Sequence, residues 1–114
     1  MHYHIPDIPP FEITKGFTAQ MIHSEHLTIA FIAVEAGATL PEHSHPHEQV
    51  TNVLEGTFEF VLDGEKVLLK TGDTVVIASN VKHAGRALTA CRMLDVFHPI
   101  REDFRSGKVA YAIK

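Results

Sequence analysis

The chain has 114 residues, room for one domain over 1–114, and its 45% hydrophobic and 21% charged content is globular, which excludes a disordered chain. A formal net charge of -4 with no basic cluster excludes a nucleic-acid footprint, and the single Cys91 excludes a disulfide framework or a cysteine-rich zinc site. The outlying number is nine histidines, and their positions matter more than their count.

At the N-terminus, Met1-His2-Tyr3-His4-Ile5-Pro6-Asp7 has no positive stretch leading into an apolar run, so no secretory signal is predicted. The longest apolar stretch, 29–34, is too short to span a bilayer, and the expectation is a soluble cytoplasmic protein with no membrane or nucleic-acid partner. Short alternating or apolar runs bounded by Gly, Pro, Asn and Asp then follow one another, which predicts strands over 17–23, 27–35, 49–54, 57–62, 66–70, 74–77, 85–88 and 91–97. Asp63-Gly64 supplies the positive φ angles of a two-residue hairpin turn between two of them. One helical turn is predicted over 100–105, and 109–113 reads as a further edge strand. So many short strands in so short a chain must close their edges or stack as two sheets. The expected fold class is therefore all-β, a small barrel or jelly roll with its core over about 27–104. Ile8-Pro9-Pro10-Phe11 and the apolar tail are candidates to cover a sheet edge.

Glu42-His43-Ser44-His45-Pro46-His47-Glu48-Gln49 is the densest histidine segment, and Pro41 and Pro46 should keep it extended. In extended chain His43, His45 and Gln49 share parity and point to one face, whereas Ser44 and Glu48 point to the other. Two imidazoles so spaced make a good metal-ligand pair, and His83 is the best candidate for a further ligand. His47 shares the parity of His45 and competes for ligand status, but reads better as a residue beside the site. His2, His4, His23 and His26 lack a spacing partner and read as ordinary surface or interface residues.

Gly37, His43, His45, Gln49 and Gly56 fall at the spacings of the first cupin motif, and Gly72 and His83 at those of the second. The chain resembles the cupins over these residues. Gln49 stands where Glu is usual, Ala78 where Pro is, Asn80 where Gly is, and Ala87 where Asn is. The resemblance implies a double-stranded β-helix that holds one divalent transition metal through His43, His45, Gln49 and His83. Four neutral ligands leave the ion its full charge. Nitrogen and oxygen donors suit Ni, Zn, Fe, Mn or Cu alike.

In the 91–97 strand, Met93, Asp95 and Phe97 share one face, and Leu94, Val96 and His98 the other. Asp95 therefore sits in an apolar row whichever face is inside. A carboxylate there is costly unless paired, hydrogen-bonded or functional, and burial raises its pKa toward neutrality. It is either a proton carrier or a structural carboxylate bonded to backbone or to a ligand histidine.

The run from His43 to Gln49, then Val53-Leu54-Glu55-Gly56, and the closing Leu94-Asp95-Val96-Phe97-His98-Pro99-Ile100-Arg101-Glu102-Asp103-Phe104 are similar to the pectin-degradation cupins. Thr51-Asn52 departs from that family's pattern. This resemblance implies linearisation of 4,5-unsaturated uronates, with Asp95, Phe97 and Arg101 in the catalytic roles. An anionic sugar would be the substrate and a homodimer the assembly. Arg101 offers a planar fork for the substrate carboxylate, or it is an exposed residue paired only with Glu102 or Asp103. Other readings are a metal-dependent dioxygenase, a non-catalytic small-molecule-binding cupin, and a metal-free structural cupin.

Overall fold

Alternation of buried and exposed residues organises the chain into strands, as seen in the computed structural model, which describes residues 1–107. The strands are β1 (Phe11–Thr14), β2 (Phe17–His23), β3 (Thr28–Val34), β4 (Thr39–His43), β5 (Glu48–Glu55), β6 (Thr57–Leu62), β7 (Glu65–Lys70), β8 (Thr74–Ile77), β9 (His83–Ala87) and β10 (Cys91–His98). A 3-10 turn at Ile5–Asp7 precedes them and a short helix, α1 (Glu102–Ser106), follows. They form a six-stranded sheet in the order β1-β2-β3-β10-β5-β8 and a four-stranded sheet in the order β4-β9-β6-β7. The pairings are antiparallel throughout. The all-β double-sheet architecture expected from the sequence is the one observed. Among the described residues no helix is long and apolar enough to cross a membrane. The predicted strand over 109–113 lies outside the described residues.

Two strands escape the periodicity. β1 has only four residues after Pro9-Pro10, and its place is the edge beside β2, where Phe11 pairs with Ala19. β4 contains Pro41, and it too is an edge strand, where a missing N–H costs least. β9 starts at His83, two residues before the predicted 85. α1 covers 102–106 rather than 100–105 and closes at Gly107, whose φ of 78° is the left-handed cap a glycine provides. The Asp63-Gly64 turn has φ values of 48° and 85°, the positive pair that a tight hairpin between β6 and β7 requires.

The inward face of the six-stranded sheet carries Phe17, Ala19, Ala30, Ile32, Val53 and Met93, and the four-stranded sheet answers with Phe58, Phe60, Leu69 and Ala87. Phe58 is fully buried and meets Phe17 and Phe60 edge-on at 6.2 and 4.8 Å. Gly85 lies beneath it, and a Cβ there would stand 2.5 Å from the Phe58 ring. The ring is fully buried, and relief of this contact requires the aromatic layer to shift. Gly85→Ala should therefore destabilise the protein by about 1–3 kcal/mol, read as a lower denaturation midpoint at unchanged m-value. An unchanged midpoint would show that the aromatic layer can shift.

Candidate functional site

His43 ends β4 and pairs directly with His83, the first residue of β9, so residues far apart in sequence meet with ring centroids 4.2 Å apart. His45 follows in the connection to β5, its ring 5.8 Å from His43 and 5.0 Å from His83. The candidate ligand atoms of these three residues all lie within 4.8 Å of one another. Gln49 joins them with Oε1 3.0 Å from His45 Nε2. The convergence does not arise on one extended strand, as parity suggested. His43 belongs to the four-stranded sheet and Gln49 to the six-stranded one, and the chain turns between them over 44–47.

Each ring is oriented by a carbonyl two residues away. His43 Nδ1 lies 2.7 Å from Pro41 O, His45 Nδ1 3.0 Å from His47 O, and His83 Nδ1 2.8 Å from Val81 O. A carbonyl only accepts, so each Nδ1 carries the hydrogen, and each neutral ring has its lone pair on Nε2. Burial, then the charges of Arg101 and His83, push the His45 pKa down to about 4, so this ring is neutral at pH 7. Its Nε2 lone pair therefore faces the Gln49 oxygen, two acceptors at 3.0 Å. The amide is held that way round because Gln49 Nε2 donates to Thr51 Oγ1 at 2.8 Å and to Asp95 Oδ2 at 3.4 Å. His83 Nε2 is buried without a hydrogen-bond partner. Converging lone pairs of this kind fit a cation. Neighbouring ligands on an octahedral ion with bonds of about 2.1 Å stand about 3.0 Å apart.

The register of β10 builds the rest. Asp95 stands opposite Thr51 of β5 and Ala30 of β3, and Phe97 opposite Gln49. Asp95 is 6% exposed, and its Oδ1 is buried without a hydrogen-bond partner. Burial raises its pKa to about 7, against the opposing pull of the Thr51 hydrogen bond and the Arg101 charge. Arg101 is 3% exposed, its guanidinium carbon 3.8 Å from the Phe104 ring centroid and 4.8 Å from that of Phe97. It is thus not the exposed residue that one sequence reading allowed. It does pair with Asp103, while Arg105 takes Glu102. Burial alone would raise the Asp103 carboxyl, but the hydrogen bonds and charge of Arg101 hold it below its ordinary value. His43, Gln49, Asp95, Phe97 and Arg101 line one small cavity of about 30 Å³.

Several contributors are not marked in the sequence. Thr28, fully buried, accepts the Arg101 backbone N–H at 2.9 Å and contacts His23 Nδ1 at 2.8 Å, so His23 is a half-buried support rather than a plain surface residue. Thr51 shares Gln49's parity and could have been found that way. Asn80, in the slot of a motif glycine, has φ 65°, a left-handed conformation that Asn tolerates. Its backbone N–H donates to His45 O at 2.8 Å, and Ser79 Oγ donates to Pro46 O at 2.6 Å, so the β8–β9 turn pins the histidine loop. His47 sits outside the three-histidine cluster, where Nε2–H donates to Ile100 O at 3.2 Å.

This double-sheet fold with a buried histidine cluster belongs with the cupins. The Cupin_2 family (Cupin domain) matches residues 30–97, and the chain is a member of the cupin family. It is 36% identical over 106 residues to the pectin degradation protein KdgF of Dickeya dadantii (strain 3937), covering 90% of this chain and 96% of the relative. Among solved structures it is similar to KdgF from Halomonas sp., with TM-score 0.85 and 27% identity over 91% of this chain and 97% of that one. It is also similar to an RmlC-like cupin from Shewanella frigidimarina NCIMB 400, with TM-score 0.84 and 31% identity over 90% and 93% of the two chains.

The Asp95 pKa has a stability consequence. The folded value, about 7, lies above the ordinary carboxyl value of about 3.9, so the folded state holds a proton that the unfolded chain has released. That stabilisation is complete below pH 4 and lost as pH rises toward 7. In metal-free protein, wild type should lose on the order of 3–4 kcal/mol relative to Asp95→Asn across this window, measured by denaturation at each pH. The histidine contributions cancel in the difference. Parallel profiles would mean that Asp95 titrates normally.

Proposed function

We propose that this cupin is a metal-dependent enzyme of pectin breakdown that opens a cyclic 4,5-unsaturated uronate to the linear 4-deoxy-5-keto acid. The observation that carries the reading is Asp95, a buried carboxyl whose Oδ1 has no hydrogen-bond partner and which lies beside Gln49 in the cavity that Arg101 also lines. The likeness to the KdgF proteins supports the same substrate class.

His43, His45, Gln49 and His83 would hold one divalent transition metal, Ni, Zn, Fe or Mn, through three nitrogens and one oxygen. When bound, such an ion supplies Lewis acidity for negative charge that develops on a substrate oxygen. Arg101 binds the substrate carboxylate, and Phe97 flanks the guanidinium and the sugar. The Asp95 carboxylate takes the proton from the C1 hydroxyl. The C1 carbonyl forms as the bond from C1 to the ring oxygen breaks, and the electron pair spreads over that oxygen, C5 and C4 as an enolate. Asp95 returns the proton to C4, leaving a ketone at C5. No electrons are gained or lost, and a pKa near ambient pH suits a group that must both accept and give.

The test is the loss of C4=C5 ultraviolet absorbance when metal-loaded protein meets unsaturated uronate from a pectin or alginate lyase digest. Acceleration over the spontaneous rate is expected. Asp95→Asn should slow it by about 10²–10⁴-fold with metal content unchanged, and Arg101→Ala should mainly raise KM. No acceleration would favour a non-catalytic small-molecule-binding cupin. Oxygen consumption by an iron-loaded sample would favour a dioxygenase.

A homodimer is the assembly we infer. The outer face of the six-stranded sheet carries Ile22, Ile29, Phe31, Val50, Leu94 and Val96, with Leu54 and Val76 exposed beside them, an apolar strip that a second copy would cover. Light scattering should give twice the chain mass; a monomer at micromolar concentration would refute it.

A further inference from the structure

Arg101 is held from several directions. Its backbone N–H donates to Thr28 Oγ1, and the carbonyl before it, that of Ile100, accepts from His47 Nε2–H. Its guanidinium plane rests on Phe104, with Phe97 close by. Asp103 grips one edge, accepting Nε–H on Oδ1 at 2.9 Å and an Nη2–H on Oδ2 at 2.7 Å. A guanidinium has five N–H donors, so this grip leaves a second two-donor edge formed by Nη1 and Nη2. No hydrogen bond to Nη1 forms among the described residues. Asp103 is 32% exposed and Arg101 only 3%, so the carboxylate lies on the solvent side of the pair and the open edge faces away from it. Arg101 lines the cavity that holds Asp95 and Gln49.

We propose that Asp103 is a positioning and specificity residue that aims the Nη1/Nη2 edge of Arg101 into the cavity and, by cancelling its charge, restricts it to a planar monoanion. This rests on the reading of Arg101 as the group that binds the substrate carboxylate. The Arg101–Asp103 pair carries no net charge. A carboxylate added to the open edge brings one negative charge and matches the fork with two parallel hydrogen bonds. A doubly charged phosphate or sulfate matches the fork too, but brings a second charge that the Arg101–Asp103 pair does not offset. The site therefore selects sugar carboxylates over sugar phosphates, and it does so through a residue that does not touch the substrate.

Asp103 also lies in the first turn of α1 and bonds the Phe104 backbone, so a purely structural role must be separated from positioning. The experiment compares metal-loaded wild type, Asp103→Asn, Asp103→Glu and Arg101→Ala on unsaturated uronate, with inorganic sulfate as competing inhibitor. Asp103→Asn should raise KM about tenfold or more while kcat changes little, because one acceptor and the fixed direction of the fork are lost. Sulfate should inhibit that variant more tightly than wild type, since the Arg101 charge is then uncompensated. Asp103→Glu, which keeps the charge, should retain the wild-type sulfate response and recover part of the KM. Asp103→Ser keeps an oxygen for the helix turn and reads the same way if the Asn variant does not fold. Loss of thermal stability with KM and sulfate inhibition unchanged would overturn the proposal while Arg101→Ala still raises KM. An unchanged KM in Arg101→Ala as well would overturn the reading of Arg101 along with it.

Discussion

Strand β10 is paired on both sides, to β3 and to β5, and its register decides what the interior of this protein contains. With the observed pairing Met93, Asp95 and Phe97 face inward and Leu94 and Val96 outward. A slip of one residue would exchange the two sets, bringing Leu94 and Val96 inward in place of Met93 and Phe97 and expelling the carboxyl. At these central positions the hydrophobic effect distinguishes the two faces little, because both are apolar there. What fixes the register is the company each residue keeps. Ala30 leaves space opposite Asp95, Thr51 offers it a hydroxyl, and Thr28, opposite Phe97, receives the Arg101 peptide at the end of the same strand. The polar network and the strand order specify each other.

Electrostatics inside the barrel follow from where compensation is and is not supplied. Arg101 is ion-paired with Asp103, yet its charge is still felt at His45 and Asp95. Asp95 has hydrogen bonds from Thr51 and Gln49 but no ion pair, and the protein accepts the desolvation by letting the group take a proton. A carboxyl fully paired with a cation would be fixed as an anion and useless as a donor. One left in bare hydrocarbon would be fixed as an acid. The intermediate arrangement keeps both forms accessible near neutral pH.

The sequence made the regular parts of this arrangement readable and hid the parts that depend on contact between distant segments. Parity in β10 identified the inward face because that strand is uninterrupted. The four residues His43, His45, Gln49 and His83 were grouped by parity and motif spacing, yet the physical cause differs: the chain turns at 44–47 and crosses between sheets, and His83 arrives through pairing with His43. β4 was missed because Pro41 argues against a strand until the strand is known to be an edge. Thr28 touches Arg101 across 73 residues, which no local pattern reveals. Asp103 was visible as a neighbour of Arg101, but only burial distinguishes a grip on a cavity residue from a surface ion pair of little value.

The histidine cage has a further property that ties these points together. Histidine ligands are commonly oriented by a carboxylate on the far ring nitrogen. Here each Nδ1 instead bonds a backbone carbonyl two residues away, at Pro41, His47 and Val81. The rings are thus aimed by the chain's own local geometry. A bound divalent ion would keep its charge for the cavity side, where Asp95 and Gln49 lie. Asp95 lies on that side, and a cation held by the histidines would make its proton easier to lose. Carbonyl-oriented histidines and an unpaired carboxyl are therefore two halves of one electrostatic arrangement. Replacing any of the three carbonyl contacts by an Asp or Glu would alter the Asp95 equilibrium without touching it.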